Sequence, residues 1–377
     1  MTNRRKTKSF LSFVLALCLT FTFFVSAFAA TDSPVSKNSP VPSAAVPTAP
    51  DSPEGKKDTA KIAAVLPDNW MGRVDGQKKI SEINIPGTHD SATEHVQIPY
   101  IARCQDLSIK KQLESGFRYL DVRLQLKERK KYLFFGTGKK YFVFKHGPAY
   151  CRKSGNPFSG SLELEPVLED CYGFLKAHPS ETIVFCVKQE WGKDDTADFQ
   201  KALSEVIEKH PEYWYTENRI PTLDEARGKI VLARRFDDKA ELGDRKSGLE
   251  LSWKDQGGSE LVKVPYSIDT KKNGSTLVVQ DRFEYDTEPK WTAFKETAEA
   301  GAQQEKKSTV FINFLSTKGP HFIGHPLKYA ETLNRKLREY DLGRKPCGWI
   351  VIDYGTEKES KAIYSVNLKT EDAGHLK

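Results

Sequence analysis

Two histidines, an arginine and several aspartates stand where short apolar runs end. The run Ile83-Asn84-Ile85 breaks at Pro86-Gly87 and delivers His89 and Asp90; Leu120 to Val122 carries Asp121 and delivers Arg123; Phe142 to Phe144 leads to His146; Trp349 to Ile352 leads to Asp353. Ionisable groups are costly to take out of water unless paired, so strands serving only as core would not end this way. Imidazole titrates near neutral pH, which makes His89 and His146 candidates for a general base and a general acid. A fixed guanidinium at Arg123 fits a phosphoryl group through two parallel hydrogen bonds. Asp90 or Asp353 could orient His89 and raise its basicity. The chemistry indicated is proton transfer on an anionic substrate. A divalent metal is not expected, because the cation of Arg123 would occupy and repel the metal position. His95, His178, His210, His321, His325 and His375 have no comparable setting and default to surface roles.

These side chains need elements that converge. Strand-length apolar runs recur at residues 83–85, 117–124, 141–144, 182–187, 229–233, 276–279, 310–315 and 349–352. Helical spacing of apolar residues marks 108–115, 162–177, 196–209, 290–300 and 327–340. Strand alternating with helix argues for a parallel sheet, and the count of strands favours a single irregular (β/α)8 barrel of the α/β class. Residues 134–144 look like a hairpin with no intervening helix. Residues two apart share a strand face. On that reading Phe117, Tyr119, Asp121 and Arg123 form one face, as do Phe142, Phe144 and His146, and Val184, Cys186, Lys188 and Glu190. The pattern continues in Val279, Asp281 and Phe283, and in Trp349, Val351 and Asp353. In each set the polar members come last, the polarity of a barrel whose packed interior opens into an active site at the carboxyl ends of its strands.

The first 29 residues carry Arg4, Arg5, Lys6 and Lys8, an apolar run from Phe10 to Val25, and Ala27-Phe28-Ala29. This is the pattern of a cleaved secretory signal, and the apolar run is shorter than the ~20 residues of a membrane span. Residues 30–60 are rich in Pro, Ser and Ala and read as a linker; residues 61–377 read as the catalytic barrel. Without the four leader cations the chain has 54 basic and 51 acidic residues, a balance of +3, which is no nucleic-acid-binding excess. Cys104, Cys151, Cys171, Cys186 and Cys347 remain after the leader, an odd number that leaves at least one thiol free; Cys151 with Cys171 is a candidate bridge.

Taken together, Ile85-Pro86-Gly87-Thr88-His89-Asp90-Ser91, Leu120-Asp121-Val122-Arg123, His146-Gly147-Pro148, Glu181-Thr182-Ile183-Val184 leading to Lys188-Gln189-Glu190, Arg227 to Leu232, and Val279-Gln280-Asp281 resemble the metal-independent branch of the bacterial phosphatidylinositol-specific phospholipase C family. The likeness spans about residues 70 to 365. It implies an irregular βα barrel without a cofactor that cleaves phosphatidylinositol to diacylglycerol and a cyclic inositol phosphate. By similarity His89 takes the proton of the inositol 2-hydroxyl, His146 protonates the departing oxygen, Arg123 stabilises the phosphoryl oxygens, Asp90 is an acid/base partner and Asp353 holds His89. Calcium-dependent relatives carry Asn after the first His and a carboxylate in place of Arg123.

The resemblance also assigns inositol binding to Lys188, Asp281 and an arginine in Ala233-Arg234-Arg235-Phe236. Arg235 is favoured over Arg234 by alignment, while strand parity leaves both open. Phe283 stands where relatives often have a tyrosine that stacks on the ring, and Glu190 belongs to the polar rim or pairs with Lys188. Phe322 and Ile323, in a glycine-proline loop, are the expected membrane contact. Ile98 to Ile101 is a second apolar cluster, with packing of Tyr100 and Ile101 under a helix as its alternative. The expected partners are phosphatidylinositol in membranes and glycosylated inositol lipid anchors, with the choice between them open, and the chain is expected to be a secreted monomer. The competing functions are a metal-dependent glycerophosphodiesterase or phospholipase D-like enzyme, and an inactive lipid-binding barrel.

Overall fold

The computed structural model describes residues 65–129, 138–192, 194–243, 246–305 and 307–368. The chain divides into a unit over Met1–Ala60 and a unit over Lys61–Lys377. The expected signal, the linker, His375 and the tip of the expected 134–144 hairpin lie outside the described residues. No described helix is long and apolar enough to cross a membrane.

The strands are β1 (Ile85–Thr88), β2 (Tyr119–Glu128), β3 (Lys140–His146), β4 (Ala149–Tyr150), β5 (Ile183–Gln189), β6 (Trp214–Tyr215), β7 (Ile230–Arg234), β8 (Leu249–Glu250), β9 (Ser267–Thr270), β10 (Thr276–Gln280), β11 (Thr309–Phe314) and β12 (Trp349–Ile352). Their hydrogen-bonded order is β6-β7-β5-β2-β1-β12-β11-β10-β9, with β3, β4 and β8 off this path. Neighbours from β6 to β10 along this order are parallel, and β9 is antiparallel to β10. Helices Leu164–Ala177, Thr196–Ile207, Thr287–Ala302, Pro326–Glu339 and Glu357–Tyr364 cover the outside. The result is an irregular α/β barrel.

Period-two alternation sorts the sheet residues into two layers. Ile85, Tyr119, Val184, Cys186, Val231, Ala233, Val279, Ile312, Phe314, Trp349 and Val351 fill the interior. Leu120, Val122, Ile183, Phe185, Val187 and Leu232 face outward against the helices. Gly87 is required by the interior packing: a Cβ there would lie 2.8 Å from the Tyr119 ring.

The barrel ladder is interrupted between β7 and β10, and the segment after β8 fills the break with side chains. Gln256 donates to Val279 O at 3.2 Å and accepts from Asp281 N at 2.8 Å, and the Trp253 indole N–H donates to Asp281 Oδ2 at 3.0 Å.

Seven of the expected strands are parallel barrel strands; the run 141–144 is not. It forms β3, the antiparallel return arm of β2, with Leu124 opposite Phe144 and Glu128 opposite Lys140. Phe142 and Phe144 accordingly belong to the layer between sheet and helices, not to the interior. Phe117 precedes β2 and packs outside with Ile350 and Ile352. The cysteine expectation is also corrected: Cys104, Cys151, Cys171, Cys186 and Cys347 are all free and buried. Cys151 and Cys171 act as small apolar groups in one core cluster.

Candidate active site

His89, Asp90, Asp121, Arg123, His146 and Asp353 meet at the carboxyl end of the barrel. β1 and β12 run side by side with Thr88 opposite Ile352, so the residues that follow them, His89 and Asp353, emerge together. The His89 backbone N–H continues the ladder to Ile352 O at 2.9 Å. His89 Nδ1 lies 2.8 Å from Asp353 Oδ1, and its Nε2 lies 2.8 Å from Arg123 NH2. Because Arg123 can only donate, this network assigns the proton to Nδ1 and a lone pair to Nε2. Burial favours neutral His89, but the charge and hydrogen bond of Asp353 outweigh it and raise the ring above its ordinary pKa.

Arg123 is the hub. Its Nε and NH2 donate to Asp121 Oδ2 at 3.1 and 3.0 Å, and its NH1 lies 3.0 Å from Asp90 Oδ2. Burial works against its charge, yet Asp121, Asp90 and Glu190 hold it protonated. Burial also pushes Asp121 up, but Arg123, His89 and Arg235 keep it well below the usual carboxylate range. Asp90 differs: burial raises it, and Arg123, His146 and His89 offset this only in part. Its backbone is left-handed at φ 45°, and its N–H donates to Asp121 Oδ2 at 3.2 Å. Such a turn costs energy outside glycine, and here it aims the carboxyl group between the two histidines. Asp90 Oδ2 is 3.6 Å from His89 Nε2 and 3.5 Å from His146 Nε2.

His146 reaches the site by a route unlike that of the other residues. β2 runs past the rim, and β3 comes back antiparallel, leaving β2 after Phe144 to pair with β4. His146 Nδ1 donates to Ala102 O at 2.8 Å, which turns Nε2 toward Asp90. The two imidazole rings face each other edge-on, centroids 6.2 Å apart.

A second cluster lies at the ends of β5, β7 and β10. Lys188, opposite Arg123 in register, pairs with Glu190 at 3.2 Å. Burial raises Glu190, but Arg123 and Lys188 hold it ionised. Arg235 NH2 donates to Asp281 Oδ2 at 3.2 Å and its guanidinium lies 3.6 Å from the Trp253 ring centroid. Arg234 points the other way, buried behind the sheet with NH1 on Phe236 O at 2.9 Å. Of the two arginines left open by parity, Arg235 is the one that reaches Asp281. Phe283 is half-buried two residues beyond Asp281.

Phe322 and Ile323 are 69% and 49% exposed on the loop after β11. Ile101 packs against the core, whereas Tyr100 is 67% exposed and lies tilted against His325, ring centroids 4.3 Å apart. The two apolar clusters are thus neighbours.

Several contributors escaped sequence reasoning. Gln105, fully buried, donates to His89 O and Ile352 O, both at 2.9 Å, and accepts from Gly355 N at 3.2 Å. It staples His89 to the strand end that carries Asp353. Asn334 holds the same end from helix Pro326–Glu339, donating to Asp353 O at 2.9 Å. Lys290 is buried under the β10 turn on Gln280 Oε1 and Arg282 O, at 2.9 and 3.1 Å, and burial brings its pKa down to about 7. Neither Gln105 nor Trp253 sits in a periodic run, so no pattern marks them. Phe314 ends the β11 alternation of Val310 and Ile312, and that parity does point to its place beside His89, 6.1 Å ring to ring.

His89, Asp90 and Cys104 have ligand-type atoms within 4.8 Å of one another. They fit a cation poorly. Arg123 stands 3.0 Å from Asp90 and 2.8 Å from His89 Nε2, and burial pushes the Cys104 thiol far up, away from the thiolate a metal needs.

Residues 83–236 match the family model "Phosphatidylinositol-specific phospholipase C, X domain". A 1-phosphatidylinositol phosphodiesterase of Staphylococcus aureus (strain Newman) is 30% identical over 305 residues, 76% of this chain and 88% of that protein. One from Listeria monocytogenes is 27% identical over 323 residues, 81% of this chain and 86% of that protein. Among solved structures, a mutant phosphatidylinositol-specific phospholipase C from Staphylococcus aureus superposes with a TM-score of 0.64 at 28% identity, covering 81% of this chain and 98% of that one. The Listeria monocytogenes enzyme gives a TM-score of 0.59 at 25% identity, covering 81% and 100%.

Proposed function

Because the chain belongs to the bacterial phosphatidylinositol-specific phospholipase C family, we propose that it cleaves phosphatidylinositol to diacylglycerol and inositol 1,2-cyclic phosphate by acid-base catalysis between His89 and His146. The observation that carries this reading is the pair of facing imidazoles, 6.2 Å apart, with the Arg123 guanidinium against one of them. Transfer of a phosphoryl group in line needs a proton acceptor on one side of phosphorus and a donor on the other.

His89 Nε2 takes the proton of the inositol 2-hydroxyl, and that oxygen attacks the phosphorus already bound at the neighbouring carbon. The phosphorus bond to the glycerol oxygen breaks, and His146 Nε2 delivers the proton that completes diacylglycerol. The nucleophile belongs to the substrate, so positioning supplies much of the rate. His146 Nδ1 keeps its proton for Ala102 O, so a proton on Nε2 makes the ring a cation, and Asp90 beside it balances that charge. Arg123 moves its NH2 from His89 to the phosphoryl oxygens, where its charge is worth most as negative charge develops. Asp121 fixes the guanidinium and Asp353 fixes the base. Lys188, Glu190, Arg235 and Asp281 bind the inositol hydroxyls, and Phe283 lies against the ring. Phe322 and Ile323 rest on the lipid surface. Export, carried by the leader-like first 29 residues, places this activity outside the cell.

The test is phosphorus NMR of the protein with phosphatidylinositol vesicles in EDTA. A cyclic phosphate as first product is expected; an acyclic inositol phosphate first, or no turnover, overturns the reading.

A further inference from the structure

Three loops leaving the carboxyl ends of the strands are tied into one continuous rim. The loop after β11 is held on the turn after β10: Lys318 N donates to Phe283 O at 2.9 Å, and the Thr317 hydroxyl lies 3.0 Å from Phe283 O and 2.7 Å from Tyr285 O. That turn in its own right pins the segment after β8. The Tyr285 hydroxyl donates to Glu260 O at 2.8 Å and accepts from Val262 N at 3.1 Å. Arg282 NH2 donates to Gly258 O at 3.2 Å and Glu260 O at 2.9 Å. Its guanidinium stacks over Tyr285 and Tyr266, 5.1 and 5.5 Å from the ring centroids. So anchored, the segment holds Leu261 72% and Val262 45% exposed, next to the exposed Lys263.

Isolated exposed leucines need no explanation, but an apolar pair held out by four hydrogen bonds to its segment does. The turn after β10 joins the segment of this pair to the loop that carries Phe322 and Ile323. We propose that Leu261 and Val262 form a further lipid contact of this enzyme, entering the surface of a phosphatidylinositol-containing bilayer while Lys263 meets its anionic headgroups. The inference rests on the function proposed above and adds a contact on a separate segment of the rim. A lipid surface is favoured over a second copy of the chain because the acyl chains of a bound substrate must leave through the rim to which this segment is bonded, and because the exposed Glu260 and Lys263 that flank the pair cancel, leaving no net charge to keep it off an anionic surface.

The experiment compares the full chain with the double variant Leu261→Ser/Val262→Ser. Partition onto vesicles of phosphatidylcholine and phosphatidylinositol is read by sedimentation, and turnover is read on a short-chain phosphatidylinositol kept monomeric. The side chains are exposed and lie between β8 and β9, away in sequence from the ends of β1 and β3 that carry His89 and His146, so monomer turnover should stay within about twofold, while partition should fall at least about tenfold, less than full burial of two such groups would give. Partition within about twofold of the parent overturns the proposal. A parent that dimerises through this patch, with partition unchanged in the variant, overturns it in favour of a second copy. Failure of the parent to turn over monomeric substrate sinks the proposed function instead, and the partition measurement still decides the lipid contact.

Discussion

Arg123 NH2 donates to Nε2 of His89 at 2.8 Å, the nitrogen that accepts the inositol proton in the proposed reaction. On that proposal the base is capped in the free protein by the group that later serves the phosphate. A phosphoryl group drawing Arg123 toward itself would uncap His89 as the nucleophile arrives, so the base is released when substrate is in place.

Arg123→Lys is expected to lower kcat about 10²- to 10³-fold with a small change in KM, since a lysine cannot hold Asp121 and two phosphoryl oxygens together. Steady-state kinetics on phosphatidylinositol in mixed micelles, with circular dichroism as a check on folding, would show it. A variant within threefold of the parent would remove Arg123 from the reaction.

Asp353 raises the pKa of His89, and the base must be unprotonated to act. The activity kcat/KM should therefore fall as pH drops through a value above the ordinary histidine pKa. Asp353→Asn removes the group that raises it, so the acidic limb should move to lower pH while the plateau drops about 100-fold from a weaker, unheld base. A limb that stays in place would assign it to another group.

Gln105→Leu should cost stability and rate together. It orphans the carbonyl of His89 and the N–H of Gly355, with a penalty of about 1–3 kcal/mol for each buried group left unpaired, and leaves Ile352 O with only the His89 N–H. Thermal unfolding should fall by several degrees. The remaining folded fraction should show reduced kcat with the KM for monomeric substrate little changed. A change in stability alone would make Gln105 purely structural.

The barrel and its mouth were readable because period-two alternation carries through each strand into the residue beyond it. Val184, Cys186 and Lys188 form one such line, and Trp349, Val351 and Asp353 another. Reading stopped where a side chain arrives by another path. His146 was found by its type and motif, but parity set Phe142 and Phe144 inside the barrel, because a sequence does not show that β3 runs backward along β2. Trp253 and Gln256 bridge an interrupted ladder from an irregular segment, and Gln105 acts through backbone atoms. These are tertiary relationships without local period.

Chelation should leave activity intact. Arg123 supplies the positive charge that a metal would bring, so EDTA and added calcium should each change the initial rate less than about twofold. A rate abolished by EDTA and restored by calcium would favour the metal-dependent phosphodiesterase.

The roles of the two histidines separate most directly through the leaving group. A phenolate such as 4-nitrophenolate departs without a proton, so an inositol 1-phosphate 4-nitrophenyl ester needs the base but not the acid. On phosphatidylinositol, His89→Ala and His146→Ala should each lose about 10³-fold or more. On the nitrophenyl ester His146→Ala should recover to within about tenfold of the parent, while His89→Ala should stay as impaired as before. Equal recovery of both variants, or of neither, would contradict the assignment of His89 as base and His146 as acid.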